Sequence, residues 1–462
     1  MPAAGEAAEA ARIRVAVMGA GGFVRDAWVP ALKAAVAGGA LDVVACWSRS
    51  SESCWAVLPD LQAISPVCAP FHGDGGLQAL LSSPGVDAVL VVLPPQAQGP
   101  VIEAALRRGK HVLSEKPAAP TLQQAEQLLA FHASLPQPAP LWCVAENYRS
   151  IPAFLRLRQA IAAGELGTVV RLDMSADLAL APGNKYYESA WRRDSASMPG
   201  AYLTEGGVHF VAALRLAAGA AGFGQAVAAA AVSRGVSQDL PHPDCLQGLL
   251  WFESGASASI SITTAAGSAS IALHVVGTEG TAEAARGGLG FTGSRAFRLV
   301  QQGGADAAPT QFESSSPGIH DELLSFVRLV RAAGHAATGE APGATGGAAS
   351  SLTLTPAEAR SAAASDDSDP EADAAGQGGA PGVPGVPAAP GSGSSSAAPA
   401  SAQGAPAVRE EGPGGGVAIE ELPAEEDAFR ISAVEAVRDL AVVAALLKSA
   451  EQGGTRVPLQ QF

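Results

Sequence analysis

From Ile13 to about Val144, short runs of consecutive apolar residues alternate with stretches whose apolar positions recur at helical spacing. The runs RVAVMG, DVVACWS, DAVLVVLP, HVLSEKP and PLWCVAE predict strands, with helices between them. Strands that are apolar on both faces belong in a sheet covered on both sides, so the alternation predicts a doubly wound parallel α/β sheet. From about Val169 to Phe312 the pattern changes to strand-like runs separated by Gly, Ser and Asp: VVRLDMSADLAL, LQGLLWFES, ASASISITTAA, IALHVVGTEG and FRLVQQG. These predict a mostly antiparallel open sheet, and hence an α+β second half. Two further stretches, HDELLSFVRLVRAAG and DAFRISAVEAVRDLAVVAALLKSAEQGG, have apolar residues at helical spacing, and a Gly pair ends the second.

Between those two helices lies a segment, roughly 336–424, made almost wholly of Ala, Gly, Pro, Ser and acids. It has too little apolar surface to offset its ordering entropy, which predicts a disordered insertion. Two readings of it stand: a docking or regulatory tail, or a tolerated low-complexity loop that costs little to close. The segment also accounts for most of the chain's charge. Of the net −15, the stretch after His335 through Asp427 carries −12, from 14 acidic residues against Arg360 and Arg409. The remainder is close to neutral, with no basic field for nucleic acid.

Several other classes are disfavoured. Apolar runs such as the one ending at Leu93 are cut by proline or charge well short of the roughly 20 residues that span a bilayer. The opening MPAAGEAAEAARIR, with Glu6 and Glu9, has neither a basic start nor an apolar core, so it does not resemble a secretory signal and points to the cytosol or an organelle. Five cysteines without CxxC spacing (Cys46, Cys54, Cys68, Cys143, Cys245) read as reduced thiols, mostly in the core. No histidine or cysteine spacing suggests a metal, and no GxSxG elbow follows a strand.

The first strand runs directly into Gly19-Ala20-Gly21-Gly22-Phe23-Val24 and then into a helical stretch, the context a dinucleotide fingerprint requires. Gly19 permits the tight turn, Gly21 lets the backbone approach a diphosphate, and the amides at the helix start bind its charge. Val24 stands where a third glycine is usual and is expected to loosen the helix packing slightly. After the second strand the sequence is Ser48-Arg49-Ser50, with no carboxylate for a ribose 2′-hydroxyl. Arg49 and the hydroxyls suit a 2′-phosphate, so NADP(H) is expected over NAD(H), although Arg49 also reads as a solvated surface residue.

The stretch GKHVLSEKPAAP, with Glu115-Lys116-Pro117 as its EKP tripeptide, resembles the signature of the glucose-fructose oxidoreductase/inositol dehydrogenase (Gfo/Idh/MocA) family. The segments ENYRSIPAFLRLRQAIAAGELGTVVRLD, WRRDSASMPGAYLTEGGVHFVAAL and VVGTEGTAEA agree in order and spacing, over about residues 12–333 and again 425–458. The resemblance implies an NAD(P)-binding Rossmann domain over 12–148, after a flexible 1–11. It implies a substrate and oligomerisation domain over 149–335 and 425–462, with the pocket between the two. It makes Lys116 a catalytic and substrate-binding residue. It also aligns a DxGxH motif with Glu205-Gly206-Gly207-Val208-His209, so His209 takes the catalytic position and Glu205 stands for aspartate. Pro94, Glu115 and Lys116 join the glycine turn, Ser48 and Arg49 as cofactor-binding candidates. Asn147, Tyr148, Arg149, Trp191 and Arg192, with Lys185 and Tyr186 nearby, are candidates for the pocket. Gln98 and Ala212 depart from family positions usually held by histidine and aspartate.

The implied chemistry is hydride exchange between a nicotinamide and a carbinol or carbonyl on a polyol, sugar-like or related small substrate. Oxidising a carbinol needs a base for the hydroxyl proton and a donor to stabilise the developing alkoxide. The sequence does not divide these roles between Lys116 and His209, and Glu205 could orient His209 or meet a substrate hydroxyl. The departures also leave open a catalytically idle NADP(H)-binding sensor or scaffold.

Overall fold

The structure is a computed structural model that describes residues 12–184, 186–240, 242–287, 296–304, 308–338 and 424–462. The expected flexible N-terminus, nearly all of the Ala/Gly/Pro/Ser-rich insertion, and Lys185 lie outside the described residues.

Six parallel strands form the first sheet in the order β3-β2-β1-β4-β5-β6: β1 (Ile13–Met18), β2 (Leu41–Ser48), β3 (Ala69–His72), β4 (Ala88–Val91), β5 (His111–Glu115) and β6 (Trp142–Ala145). The central strands β1, β4 and β5 are almost wholly buried, as their unbroken apolar runs predict. The helices between them are α1 (Val29–Ala37), α2 (Ser51–Gln62), α3 (Gly73–Ser82), α4 (Pro95–Arg107) and α5 (Leu122–Ala133). A π-helical turn, Val24–Trp28, leads into α1, and the fully buried Val24 sits at its start. The departure from glycine is thus met by a wider first turn. The strand order reverses between β1 and β4, so a crevice opens at the carboxyl ends of the strands, where open α/β sheets bind ligands.

After helix α6 (Pro152–Ala162) comes a nine-stranded sheet, ordered β14-β13-β12-β11-β7-β10-β9-β8-β15. It contains β7 (Val169–Ala179), β8 (Ala226–Arg234), β9 (Cys245–Phe252), β10 (Ser257–Thr263), β11 (Ala265–Gly277), β12 (Gly280–Gly287), β13 (Phe297–Gly303), β14 (Thr310–Ser314) and β15 (Val457–Pro458). All neighbours pair antiparallel except β7 with β10. Helices α7 (Ala190–Arg193), α8 (Tyr202–Glu205) and α9 (Gly207–Ala220) lie between β7 and β8 in the chain. Then follow α10 (Ile319–Thr338), α11 (Ala424–Arg430) and α12 (Ala433–Glu451).

One grouping read from the sequence changes. Helix α10, assigned with the second half, buries Ile319, Leu323, Phe326, Val327 and Val330 in the core formed by Val15, Val17, Trp28 and Leu113 of the first half. Ile431, just beyond the insertion, joins the same core, and its carbonyl accepts the amide of Val144 at 2.9 Å. Both ends of the insertion are therefore anchored on the parallel sheet. Helix α12 then crosses over to pack on α9 and β8.

Candidate active site

The glycine turn has the shape a diphosphate needs. Gly19 has φ +134°, and a Cβ there would lie 2.2 Å from the Val92 carbonyl oxygen, so only glycine fits. At Gly21 and Gly22 a Cβ would meet nothing within 4 Å. That open backbone faces the start of a helix, where free amides favour an anion. Phe23 is exposed beside them, and Ala20 packs against the first-half core. At the end of β2, Ser48 is half-buried and Arg49 exposed, with no ion pair for Arg49 among the described residues. Ser50 caps α2 by accepting the Ser53 amide at 3.2 Å, so a second helix starts directly after Arg49. Pro94 caps α4 beyond the end of β4. These residues suit a nicotinamide dinucleotide.

Lys116 follows the last residue of β5, and its ammonium reaches across to the second half. Its Nζ lies 2.7 Å from Glu205 Oε1 and 2.9 Å from the Glu205 carbonyl oxygen. Arg192 approaches the same Oε1 at 3.4 Å. Burial alone would raise the Glu205 carboxyl, but the charges of Lys116 and Arg192 and the Lys116 hydrogen bond outweigh it, holding the group down at about 2. A strained turn presents Glu205: Gly200 has φ +78° under Leu447, and Ala201 has φ +46°.

His209 stands in the first turn of α9. Its Nδ1 is 2.6 Å from Oε1 of Glu146, the residue after β6. Glu146 is 1% exposed, and the same Oε1 accepts the Tyr148 amide at 3.2 Å. Burial acts to raise Glu146, but His209, Arg149 and Lys116 prevail and hold it below the usual glutamate range. The Tyr148 ring stacks on the imidazole, centroids 4.6 Å apart and planes 18° apart. Lys116 and His209 both act electrostatically on Glu146 and on Glu205, so one cluster holds the ammonium, the imidazole and two carboxylates.

The short helix α7, which carries Trp191 and Arg192, closes one side. Gln96, in the first turn of α4, donates to the Trp191 carbonyl at 3.4 Å and to Ser197 Oγ at 3.1 Å. The Arg192 guanidinium stacks 4.0 Å from the centre of the Trp191 ring and 4.9 Å from that of Tyr186. A cleft of about 370 Å³ opens beside Gln96, with Thr121, Gln124 and Ser197 among its walls; Lys116, Glu205 and His209 do not line it.

Two expectations need correction. Arg149, expected to meet substrate, is 1% exposed and paired with Asp439 of α12, with its Nη2 also 3.3 Å from the Glu435 carbonyl. It bridges α12 to the end of β6 and does not line the cleft. Glu115, expected at the cofactor, turns inward and accepts from Trp28 Nε1 at 2.7 Å and from the Lys116 amide at 3.2 Å. Asn147 donates to the Pro317 carbonyl at 2.6 Å, which ties the end of β6 to the approach to α10. Gln98 and Ala212 are both fully buried, and the Gln98 carboxamide has no partner among the described residues. No cluster of three or more metal-binding side chains occurs among the described residues, and none of their helices is long and apolar enough to cross a membrane. The five cysteines are free thiols, four of them buried.

Glu146 was missed by sequence reasoning. It stands in the quoted ENYR segment, and its signal was a carboxylate directly after a parallel strand, on the ligand-binding edge of the sheet.

Comparison with known proteins agrees with this architecture. Residues 13–137 match the model of the oxidoreductase family with an NAD-binding Rossmann fold, and residues 154–283 match the GFO/IDH/MocA C-terminal domain. Dehydrogenase FPY6 of Fusarium mangiferae is 32% identical over 208 residues, covering 44% of this chain and 57% of that protein. The matched region thus spans little more than half the length of that relative. An oxidoreductase from Thermotoga maritima superposes with a TM-score of 0.63 at 20% identity, covering 97% of this chain and 98% of that one. The WlbA dehydrogenase from Bordetella pertussis, solved with NADH and UDP-GlcNAcA, gives 0.57 at 16% identity, covering 98% and 100%. With one family's model matched in each half, around a shared lysine–glutamate–histidine cluster, the chain belongs to the Gfo/Idh/MocA family of oxidoreductases.

Proposed function

We propose that this chain is an NADP-preferring oxidoreductase that interconverts a carbinol and a carbonyl on a polyol, sugar-like or related small substrate. The observation that carries the reading is the meeting of Lys116 and His209, from opposite halves, around Glu205 and Glu146 at the carboxyl edge of the parallel sheet. A nicotinamide dinucleotide bound at the Gly19–Val24 turn would supply the hydride acceptor or donor. The residues left to the protein are those the reaction needs. Lys116 is a charged donor able to stabilise an oxyanion, and His209 is a proton acceptor with Nε2 free of hydrogen bonds among the described residues. Arg192, held against Glu205 and the Trp191 ring, is suited to orient a hydroxylated substrate.

NADP over NAD is supported by Arg49, the hydroxyls of Ser48 and Ser50, and the α2 helix start, with no carboxylate at the end of β2. A neighbour of the same fold holds NADH and a sugar nucleotide, which agrees with a nicotinamide cofactor and a polyhydroxylated substrate but leaves both choices to experiment. We place the enzyme in the cytoplasm, in keeping with its free thiols, and assign the open face of the large sheet, with exposed Val170, Val232 and Leu249, to self-association.

A screen with NADP⁺ and NADPH over polyols, aldoses, ketones and dihydrodiols, following absorbance of the reduced nicotinamide, tests the proposal. Turnover on at least one carbinol or carbonyl is expected. The buried Gln98 and Ala212, where the family usually has histidine and aspartate, favour a second reading, an idle NADP(H)-binding sensor. Tight binding without turnover across the panel would select it.

A further inference from the structure

The lysine–histidine cluster contains two carboxylates, and their pairing departs from what sequence spacing suggests. Glu205 precedes His209 by four residues, the separation at which two side chains on successive helical turns meet. Yet Glu205 turns to Lys116 and Arg192, at 2.7 and 3.4 Å, and His209 takes Glu146 from the end of β6 instead, at 2.6 Å.

We infer that Glu146 is the positioning residue for His209: from the end of β6 it fixes the tautomer and plane in which Nε2 can take the substrate's hydroxyl proton. The inference rests on the oxidoreductase reading above and adds the group that orients His209 within it. An ionised carboxylate can only accept, so Nδ1 of His209 must donate to Oε1 of Glu146. In the neutral ring that leaves the Nε2 lone pair unprotonated, and Nε2 has no partner among the described residues. Glu146 cannot swing away. It is buried, its Oε1 also accepts the Tyr148 amide, and the Tyr148 ring lies flat against the imidazole. Together these fix both the tautomer and the plane of His209. Lys116 meanwhile has two acceptors on Glu205, which suits it to be a fixed charged donor to the substrate oxygen. In the oxidative direction the carbinol O–H bond breaks as an N–H bond forms at Nε2. A bound oxidised nicotinamide would take the C–H electron pair with its hydrogen as hydride, leaving the C–O bond a carbonyl.

The test uses the full chain with ¹⁵N-labelled histidine, as wild type, Glu146→Ala and Glu146→Gln, with His209→Gln to assign the His209 signals. In wild type the nitrogen shifts of His209 should be those of the Nδ1–H tautomer. In Glu146→Ala they should move towards the Nε2–H form, and kcat should fall about 100-fold while KM for substrate and cofactor changes less than about threefold. Glu146→Gln, whose carbonyl oxygen still faces two donors, should keep the wild-type tautomer and recover about tenfold of the lost rate. Unchanged nitrogen shifts in Glu146→Ala, or an Nε2–H ring in wild type, would overturn the inference, as would wild-type kcat in either variant. If Glu146→Ala does not fold, the wild-type tautomer and the Glu146→Gln rate still decide the matter. The nitrogen shifts are read without turnover, so a wild-type protein inactive on every substrate would count against the oxidoreductase reading alone.

Discussion

The Lys116 ammonium lies 2.7 Å from Oε1 and 2.9 Å from the main-chain oxygen of Glu205, a residue 89 positions further along the chain. Two acceptors on one partner hold the flexible lysine stem at a single place between the halves. Replacing Glu205 by alanine removes one acceptor and frees the head group. We expect kcat to fall about 100-fold with NADPH affinity changed less than about threefold, since positioning errors cost rate more than cofactor binding. Steady-state kinetics beside a fluorescence titration of NADPH measure both.

Arg49 is exposed and without an ion pair among the described residues, next to the hydroxyls that would share a 2′-phosphate with it. Arg49→Ala should weaken NADPH by about 10- to 100-fold, the worth of one charge-assisted contact, and leave NADH unchanged. Equal losses for the two cofactors, or none, would remove Arg49 from the cofactor site.

Glu115 ties the pH dependence of stability to the site. Burial pushes its carboxyl up to about 7, against the opposing pull of Lys116 and the Trp28 donor. The folded state therefore holds this proton more tightly than the unfolded chain. The resulting stabilisation is full below the ordinary glutamate value of 4.5 and is lost as pH rises through about 7. The whole effect is on the order of 3 kcal/mol. Glu115→Gln, neutral throughout, should lack that slope. Urea unfolding of both proteins at about pH 5 and about pH 8 measures the difference.

Arg149 and Arg215 share Asp439, and Arg215 also holds Glu435 at 2.7 Å, all of them buried against α12. Removing one partner from such a group leaves a poorly compensated charge, so Arg149→Met should cost about 3–5 kcal/mol in urea unfolding. Its KM for substrate should stay at the wild-type value. A raised KM at unchanged stability would return Arg149 to the pocket.

The parallel sheet and the glycine turn were legible because their signals are local: unbroken apolar runs, a strand-to-helix Gly19-Ala20-Gly21 turn and turn residues in register. Strand β8 was not, because its AVAAAAVSR is built of a helix-favouring residue. Pairing with β9 and the Ala231 amide bonded to Ser449 of α12 override that preference. The short β3 carries Pro70, and the sheet accepts it because β3 is an edge strand. At the site, Lys116 and His209 lie in motifs, whereas the pairings Glu146–His209 and Arg149–Asp439 join residues 63 and 290 positions apart and leave no periodic trace.

The proposed activity requires Lys116 and His209 to act together on a substrate beside a bound nicotinamide. The most direct measurement is turnover of Lys116→Met and His209→Ala, with NADPH binding titrated on the same preparations. Both variants are expected to bind NADPH within about threefold of wild type and to lose at least about 10³-fold in kcat. Wild-type turnover in either variant would contradict that requirement.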